Sequence, residues 1–328
     1  MEYKSISGLR KPLSRVIQGA TTLFGEESVP DWEDLLDEVL AAGVNAFDTG
    51  LVYADHTGTC DGKLGQWIKN RGVRDDVLVI GKGCHPGPPN WENSRVTPEC
   101  VGEDIEKTLD RMGTDRIDLW LFHRDDINVP IDELVDAIDK QVSAGLVDAW
   151  GVSNWGVNRF MRAIDVSEKN RWSKPEVFSP HFSLVHQKES PWSGVTSIAG
   201  NDAEEDRDWL RRNEIPVLAW SALAGGYLTS AVTLQNLKEP SSQLLAETAR
   251  CYHTDENWSR RERAINLAGK KNCTLEQISI SWILNADLQT HALCASRNKT
   301  EIHHNVASID IELSKQEMNW LENGKSIE

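Results

Sequence analysis

The stretch Asn45-Ala46-Phe47-Asp48-Thr49-Gly50-Leu51-Val52-Tyr53 reads as a short apolar strand that ends at an acid, with a phenol five residues further on. Two later stretches end in the same way. Val77-Leu78-Val79-Ile80-Gly81 runs into Lys82, and Ile117-Asp118-Leu119-Trp120-Leu121-Phe122 runs into His123. In a barrel of parallel strands the C-terminal strand ends converge on one mouth. An Asp, a Tyr, a Lys and a His gathered there make a proton-transfer site.

Working outward, strands and helices alternate along the whole chain. Residues 16–20 read as a first strand, and residues 31–42 carry Leu35, Leu36, Val39 and Leu40 at helical spacing before Gly43. Residues 62–71 form the next helix. The loop 83–96 is long, rich in Pro and Gly, and holds His85 and Trp91. Thr97 and Pro98 open a helix that runs to Gly113, as N-cap and first helical residue. A periodic helix over 130–144 follows, and a fifth strand over 147–152 delivers Ser153 and Asn154. After a helix at 157–168, a sixth strand at 176–184 carries His181. A helix at 202–213 leads to a seventh strand at 216–220, which empties into Ser221. Helices at 243–252, 260–271 and 275–285 precede an eighth strand, 291–295, which delivers Ser296 and Arg297. Residues 314–322 form a last amphipathic helix, and residues 3–14 form a small hairpin or a loop closing the barrel bottom. Eight alternations without a linker predict an α/β fold, a (β/α)8 TIM barrel. Residues 1–328 then make a single domain with long loops at the C-terminal mouth. An open doubly wound sheet is disfavoured, because no G-x-G-x-x-G follows the first strand.

The net charge of −16 over 328 residues argues against a nucleic-acid partner, which needs a basic face. No apolar run approaches the roughly 18 residues of a membrane span, and the N-terminus lacks the layout of a secretion signal. A cytoplasmic protein is expected. Cys60, Cys84, Cys100, Cys251, Cys273 and Cys294 are scattered without a C-x-x-C pair, which predicts free thiols and no metal.

These residues resemble the aldo-keto reductase superfamily over nearly the whole chain, from Gly19 to Asn305. Asp48 with Tyr53, then Lys82, then His123 match its catalytic tetrad in order and strand position. Gly151-Val152-Ser153-Asn154-Trp155 resembles its nicotinamide-binding segment. Trp220-Ser221-Ala222-Leu223-Ala224-Gly225-Gly226 resembles its pyrophosphate loop, with Ala222 in place of the usual Pro. Ser296 and Arg297, with Glu301, His304 and Asn305, resemble its adenosine-phosphate segment. The resemblance implies an NADP(H)-dependent reductase of aldehydes or ketones, with NAD(H) the less favoured cofactor and a small-molecule partner. It assigns Ser153, Asn154, His181, Trp220, Ser221, Leu223, Gly225, Ser296, Arg297, Glu301, His304 and Asn305 to the cofactor. His181 stands where the family often has a Gln. The superfamily also contains regulatory subunits that keep the cofactor site.

A free phenol titrates near roughly 10, so Tyr53 needs a neighbouring ammonium to become a proton donor at neutral pH. Lys82 fills that role, Asp48 holds Lys82, and His123 orients the carbonyl. Singly, Asp48 reads as a turn cap, Tyr53 as a loop aromatic, Lys82 as a solvated charge and His123 as a core histidine. Their meeting at three successive strand ends is what favours chemistry. A rival barrel chemistry makes Lys82 a Schiff-base amine. Flat Trp faces and polar groups near the tetrad, namely Asp55, His56, Trp91, Arg124 and Trp155, suit a sugar-like carbonyl. Trp192 and Trp258 are placed in mouth loops too, and Trp67, Trp120, Trp209 and Trp282 in the core. The sequence leaves the oligomeric state open.

Overall fold

Each residue of the stretch Ile117–Phe122 is buried, as expected of a strand with side chains packed on both faces. Its one charged residue, Asp118, is satisfied locally. Asp118 Oδ2 accepts the Val79 backbone N–H at 2.7 Å and lies 2.9 Å from Arg74 Nη2. The computed structural model describes residues 1–21, 31–53 and 59–325, so the expected substrate residues Asp55 and His56 lie outside the described residues.

The strands in chain order are β1 Tyr3–Lys4, β2 Leu13–Ser14, β3 Val16–Gly19, β4 Ala46–Asp48, β5 Leu78–Gly83, β6 Ile117–Phe122, β7 Val147–Ser153, β8 Val177–Ser179, β9 Pro216–Ala219 and β10 Gln289–Cys294. β1 and β2 form a small antiparallel pair. The other eight close into a barrel in the order β10-β3-β4-β5-β6-β7-β8-β9, with parallel pairing. The fold is the expected eight-stranded barrel with surrounding helices. Among the described residues no helix is long and apolar enough to cross a membrane. All six cysteines are free.

Two compact units divide the chain. One comprises Met1–Ser179 with Ala295–Ile302 and contains β1 to β8. In it, helix α1 is Trp32–Ala41, α2 is Thr59–Arg71 and α3 is Pro98–Met112. Thr97 caps α3 by accepting the Cys100 N–H, and Gly113 ends it in the left-handed conformation, as the sequence predicts. Helices α2 and α3 touch at Gly65, where a Cβ would lie 2.1 Å from the Met112 carbonyl oxygen. No side chain fits there.

The other unit comprises Pro180–Cys294 and His303–Glu328 and contains β9 and β10. The expected strand over 176–184 is only three residues long. Pro180 lacks the N–H that would extend its ladder, and His181 makes isolated bridges to Ser197 and Trp220 instead. The helix expected at 260–271 begins at Asp255, because Thr254 caps it through the Asn257 N–H. A five-residue helix, Leu234–Lys238, was not expected, and a Thr233–Asn236 capping box nucleates it. Trp282 is buried, whereas Trp209 is only partly buried on the charged helix Glu204–Arg212.

Candidate active site

Register sets the first three groups. β4 ends at Asp48, opposite Ile80, and β5 carries Lys82 two residues beyond that pairing. After β4 the chain keeps bonding to β5, Thr49 N–H to the Ile80 carbonyl at 2.8 Å and Leu51 N–H to the Lys82 carbonyl at 3.1 Å. A turn then closes through Tyr53 N–H on the Gly50 carbonyl. The Lys82 ammonium consequently lies 4.9 Å from the Tyr53 ring centroid. Lys82 Nζ bonds Asp48 Oδ1 and donates to the Thr49 carbonyl at 3.1 Å. His123 follows β6, and its N–H donates to the Gly83 carbonyl at 2.9 Å. Its ring meets Tyr53 edge-on, with centroids 5.5 Å apart. The four predicted residues are thus brought together.

Burial governs their electrostatics. It pulls Lys82 down, but Asp48 and Tyr53 outweigh it and hold the ammonium above its usual range. Burial pushes the Tyr53 phenol up. Lys82 opposes that, as the sequence argument requires, without reversing it. The net direction corrects the simple expectation of a lowered phenol: Tyr53 rests as the protonated acid. His123 is held well below the usual histidine value by burial, then by Arg124, His85 and Lys82, so its imidazole is neutral.

His181 is likewise buried and pulled down to about 3 by burial. For both histidines the folded pKa lies below the unfolded one. The unfolded chain therefore binds more protons below pH ~6.5, and stability falls as pH drops from there. Each is expected to remove up to about 1.4 kcal/mol per pH unit. Urea unfolding at about pH 7 and about pH 5.5 checks this, and an unchanged midpoint at the lower pH would refute it.

The cofactor candidates fall in both units. In the first, Ser153 and Asn154 are buried at the end of β7, and Asn154 is left-handed at φ +63°. Asn154 Nδ2 donates to the His123 carbonyl at 3.3 Å. Its Oδ1 is buried without a hydrogen-bond partner among the described residues, which fits a carboxamide N–H donor. Ser179, which the sequence reading missed, pairs in register with Ser153. Ser296 is buried and accepts Gln18 Nε2 on its carbonyl at 3.3 Å, and Arg297 is exposed. Both Glu301 oxygens are engaged at the start of the helix Lys299–Ala307, one by the Arg297 N–H at 2.7 Å and one by Asn298 Nδ2 at 2.8 Å. Glu301 thus builds the turn that presents Arg297.

In the second unit the residues after β9 form a tight turn, with left-handed Ser221, Ala224, Gly225 and Gly226. The Ala224 N–H bonds the Ser221 carbonyl, and the Gly226 N–H the Leu223 carbonyl. Thr248 pins the turn through the Gly225 carbonyl at 2.8 Å. Trp220 is stacked on exposed Trp192, with centroids 5.8 Å apart and planes at 18°. Both His181 nitrogens already have protein partners, Ser197 Oγ at 2.9 Å on one and Ser183 and Tyr252 hydroxyls on the other. His304 is partly buried and accepts Gln277 Nε2 on its carbonyl, and Asn305 is buried.

Of the described substrate candidates, Trp91 is exposed and stands edge-on to His85 at 6.3 Å. His85, left out of the expected site, packs 4.7 Å from His123. Arg124 donates to the His123 carbonyl at 2.8 Å, and burial draws its guanidinium down to about 10. Trp155 is fully buried against Phe122, and its indole N–H bonds the Arg124 carbonyl at 2.9 Å. It supports the site from within the core rather than facing a substrate. Trp258 sits in the helix Asp255–Lys271 rather than in a loop.

The chain is similar to two plant proteins described as "Probable voltage-gated potassium channel subunit beta". The one from Oryza sativa subsp. japonica is 24% identical over 319 residues, covering 95% of this chain and 92% of the relative. The one from Arabidopsis thaliana is 23% identical over 325 residues, with the same coverage. The profile described as "Aldo/keto reductase family" matches residues 15–323, and with that span the chain belongs to the aldo/keto reductase family.

Proposed function

We propose that this protein is a cytoplasmic NADP(H)-dependent reductase that converts an aldehyde or ketone, sugar-like carbonyls included, to an alcohol, with residues 1–328 acting as one domain. The observation that carries the reading is Tyr53 seated over a buried ammonium that Asp48 and the Thr49 carbonyl hold in place. When bound, the nicotinamide supplies a hydride to the carbonyl carbon. The Tyr53 hydroxyl donates the proton to the carbonyl oxygen, and Lys82 stabilises the phenolate that remains. His123, neutral, donates an N–H to that oxygen and fixes its orientation. Ser153 and Asn154 would hold the carboxamide, the turn at 221–226 the pyrophosphate, and Ser296 and Arg297 the 2′-phosphate. Turnover of a panel of aldehydes, ketones and sugars with NADPH and with NADH tests the proposal.

Arg297→Ala separates the cofactors. A guanidinium on a phosphate makes charge-assisted bonds, so NADPH affinity is expected to fall about 10- to 100-fold while NADH affinity stays within about twofold. Equal losses for both cofactors, measured by fluorescence titration, would remove Arg297 from the phosphate.

The channel-subunit descriptions of the two relatives favour a second reading, a cofactor-binding regulatory subunit without significant turnover. NADPH binding with no turnover on any carbonyl of the panel would select it. A Schiff base at Lys82 is disfavoured, because its Nζ is buried and held as an ammonium by Asp48. Borohydride trapping of a carbonyl on Lys82 would reverse that judgement.

A further inference from the structure

A charged pair that the proton chemistry does not use grips the loop carrying Asp48 and Tyr53. Asp61, on α2, is fully buried, and its Oδ1 accepts the Thr49 hydroxyl at 2.6 Å. Its Oδ2 has no hydrogen-bond partner among the described residues and lies 3.8 Å from Arg111 Nη1. Arg111, on α3, donates to the Leu51 carbonyl at 3.3 Å. The pair therefore reaches the loop twice, at Thr49 and at Leu51. Thr49 is also the residue whose carbonyl accepts the Lys82 ammonium.

A carboxylate in this position is unfavourable for the fold by itself. Burial pushes its pKa up, and Thr49 and Arg111 only oppose that. An apolar side chain would pack there without the desolvation penalty, so the charge calls for a role in geometry rather than in stability.

We propose that Asp61 and Arg111 are positioning residues, a buried clamp that fixes the loop from Thr49 to Tyr53 so that the Lys82 ammonium stays against the Tyr53 ring. The clamp acts through Thr49. Without it the Thr49 carbonyl is free to turn away, Lys82 loses one of the groups that hold it, and its ammonium shifts against the Tyr53 ring. This inference rests on the reading of Tyr53 as the proton donor.

Two variants test it. Asp61→Asn keeps an acceptor for Thr49 and removes the charge that faces Arg111. Thr49→Val removes the hydroxyl with little change in volume. With tyrosine 13C-labelled at Cζ, the chain gives four resonances, from Tyr3, Tyr53, Tyr227 and Tyr252, and Tyr53→Phe assigns the one that matters. Both variants are expected to move the Tyr53 resonance and to lower kcat about tenfold, with NADPH Kd changed less than about twofold. The double variant should be no worse than the worse single one, because both changes cut the same tie. A Tyr53 resonance that stays in place in both variants, with only the melting temperature reduced, overturns the clamp and leaves Asp61 a packing residue. Should Asp61→Asn not fold, Thr49→Val decides alone. If the wild-type protein reduces no carbonyl, the reductase reading fails, yet the Tyr53 resonance still decides whether the clamp exists.

Discussion

Tyr53→Phe is expected to lower carbonyl reduction by about 10²- to 10⁴-fold while NADPH affinity changes less than about twofold. The substitution keeps the ring, and with it the edge contact to His123 and the ammonium of Lys82 beneath the face. Only the hydroxyl is lost. His123, edge-on to the ring, is an alternative proton donor, but burial holds its pKa well below the usual histidine value and keeps its imidazole neutral. Lowering the pH to about 6 should therefore not restore the Phe variant, because His123 still carries no extra proton there. Steady-state kinetics with NADPH and a reactive aldehyde measure the first expectation, and the same assay across pH measures the second. A variant that keeps more than about a tenth of wild-type activity would mean that Tyr53 is not the acid.

Much of this site was legible because strand ends carry it. The run Ile117–Phe122 has the boundaries that its apolar residues predict, so His123 falls just past its end. Asp48 closes β4, Lys82 lies one residue inside the end of β5, which runs to Gly83 rather than stopping at Gly81, and Thr97 and Gly113 bound α3 by their capping chemistry. What could not be read depends on contacts between segments distant in the chain. Nothing in the sequence around Asp61 distinguishes it from a surface acid near the start of a helix. Its importance arises only when α2 and α3 close on Gly65 and bring Arg111 to it. His85 looked like one more polar residue of a Pro-rich loop until its ring packed on His123. For Trp155, position after a strand suggested a mouth residue, whereas its ring turned into the core beside Phe122. His181 was legible as a polar residue carried by the expected strand 176–184. Of its three hydroxyl partners Ser183 lies two residues on, but Ser197 and Tyr252 come from separate segments that no local pattern joins.

Lys82→Met should affect both stability and turnover, and the two effects can be separated by Asp48. Lys82 and Asp48 are each at most 3% exposed, so removing the ammonium leaves a carboxylate buried without its counter-charge. Loss of one member of a buried pair costs about 3–5 kcal/mol. Asp48 can relieve the penalty by taking up a proton, since burial already favours its neutral form. In the variant its folded pKa lies above the unfolded value. The stability that protonation contributes is then fully present below about pH 4 and is lost as pH rises through the folded pKa. Relative to the wild-type chain at each pH, Lys82→Met should therefore be least stable near neutrality and should recover on acidification. Adding Asp48→Asn removes the buried charge altogether, so the double variant is expected to regain most of the lost stability at about pH 7. It should not regain activity. Tyr53 would still lack the cation that stabilises its phenolate, and reduction should remain lower by about 10²- to 10⁴-fold. Urea unfolding and turnover measured on the same three proteins decide the matter: recovery of both together would make Lys82 a structural residue, and recovery of stability alone assigns it to the chemistry.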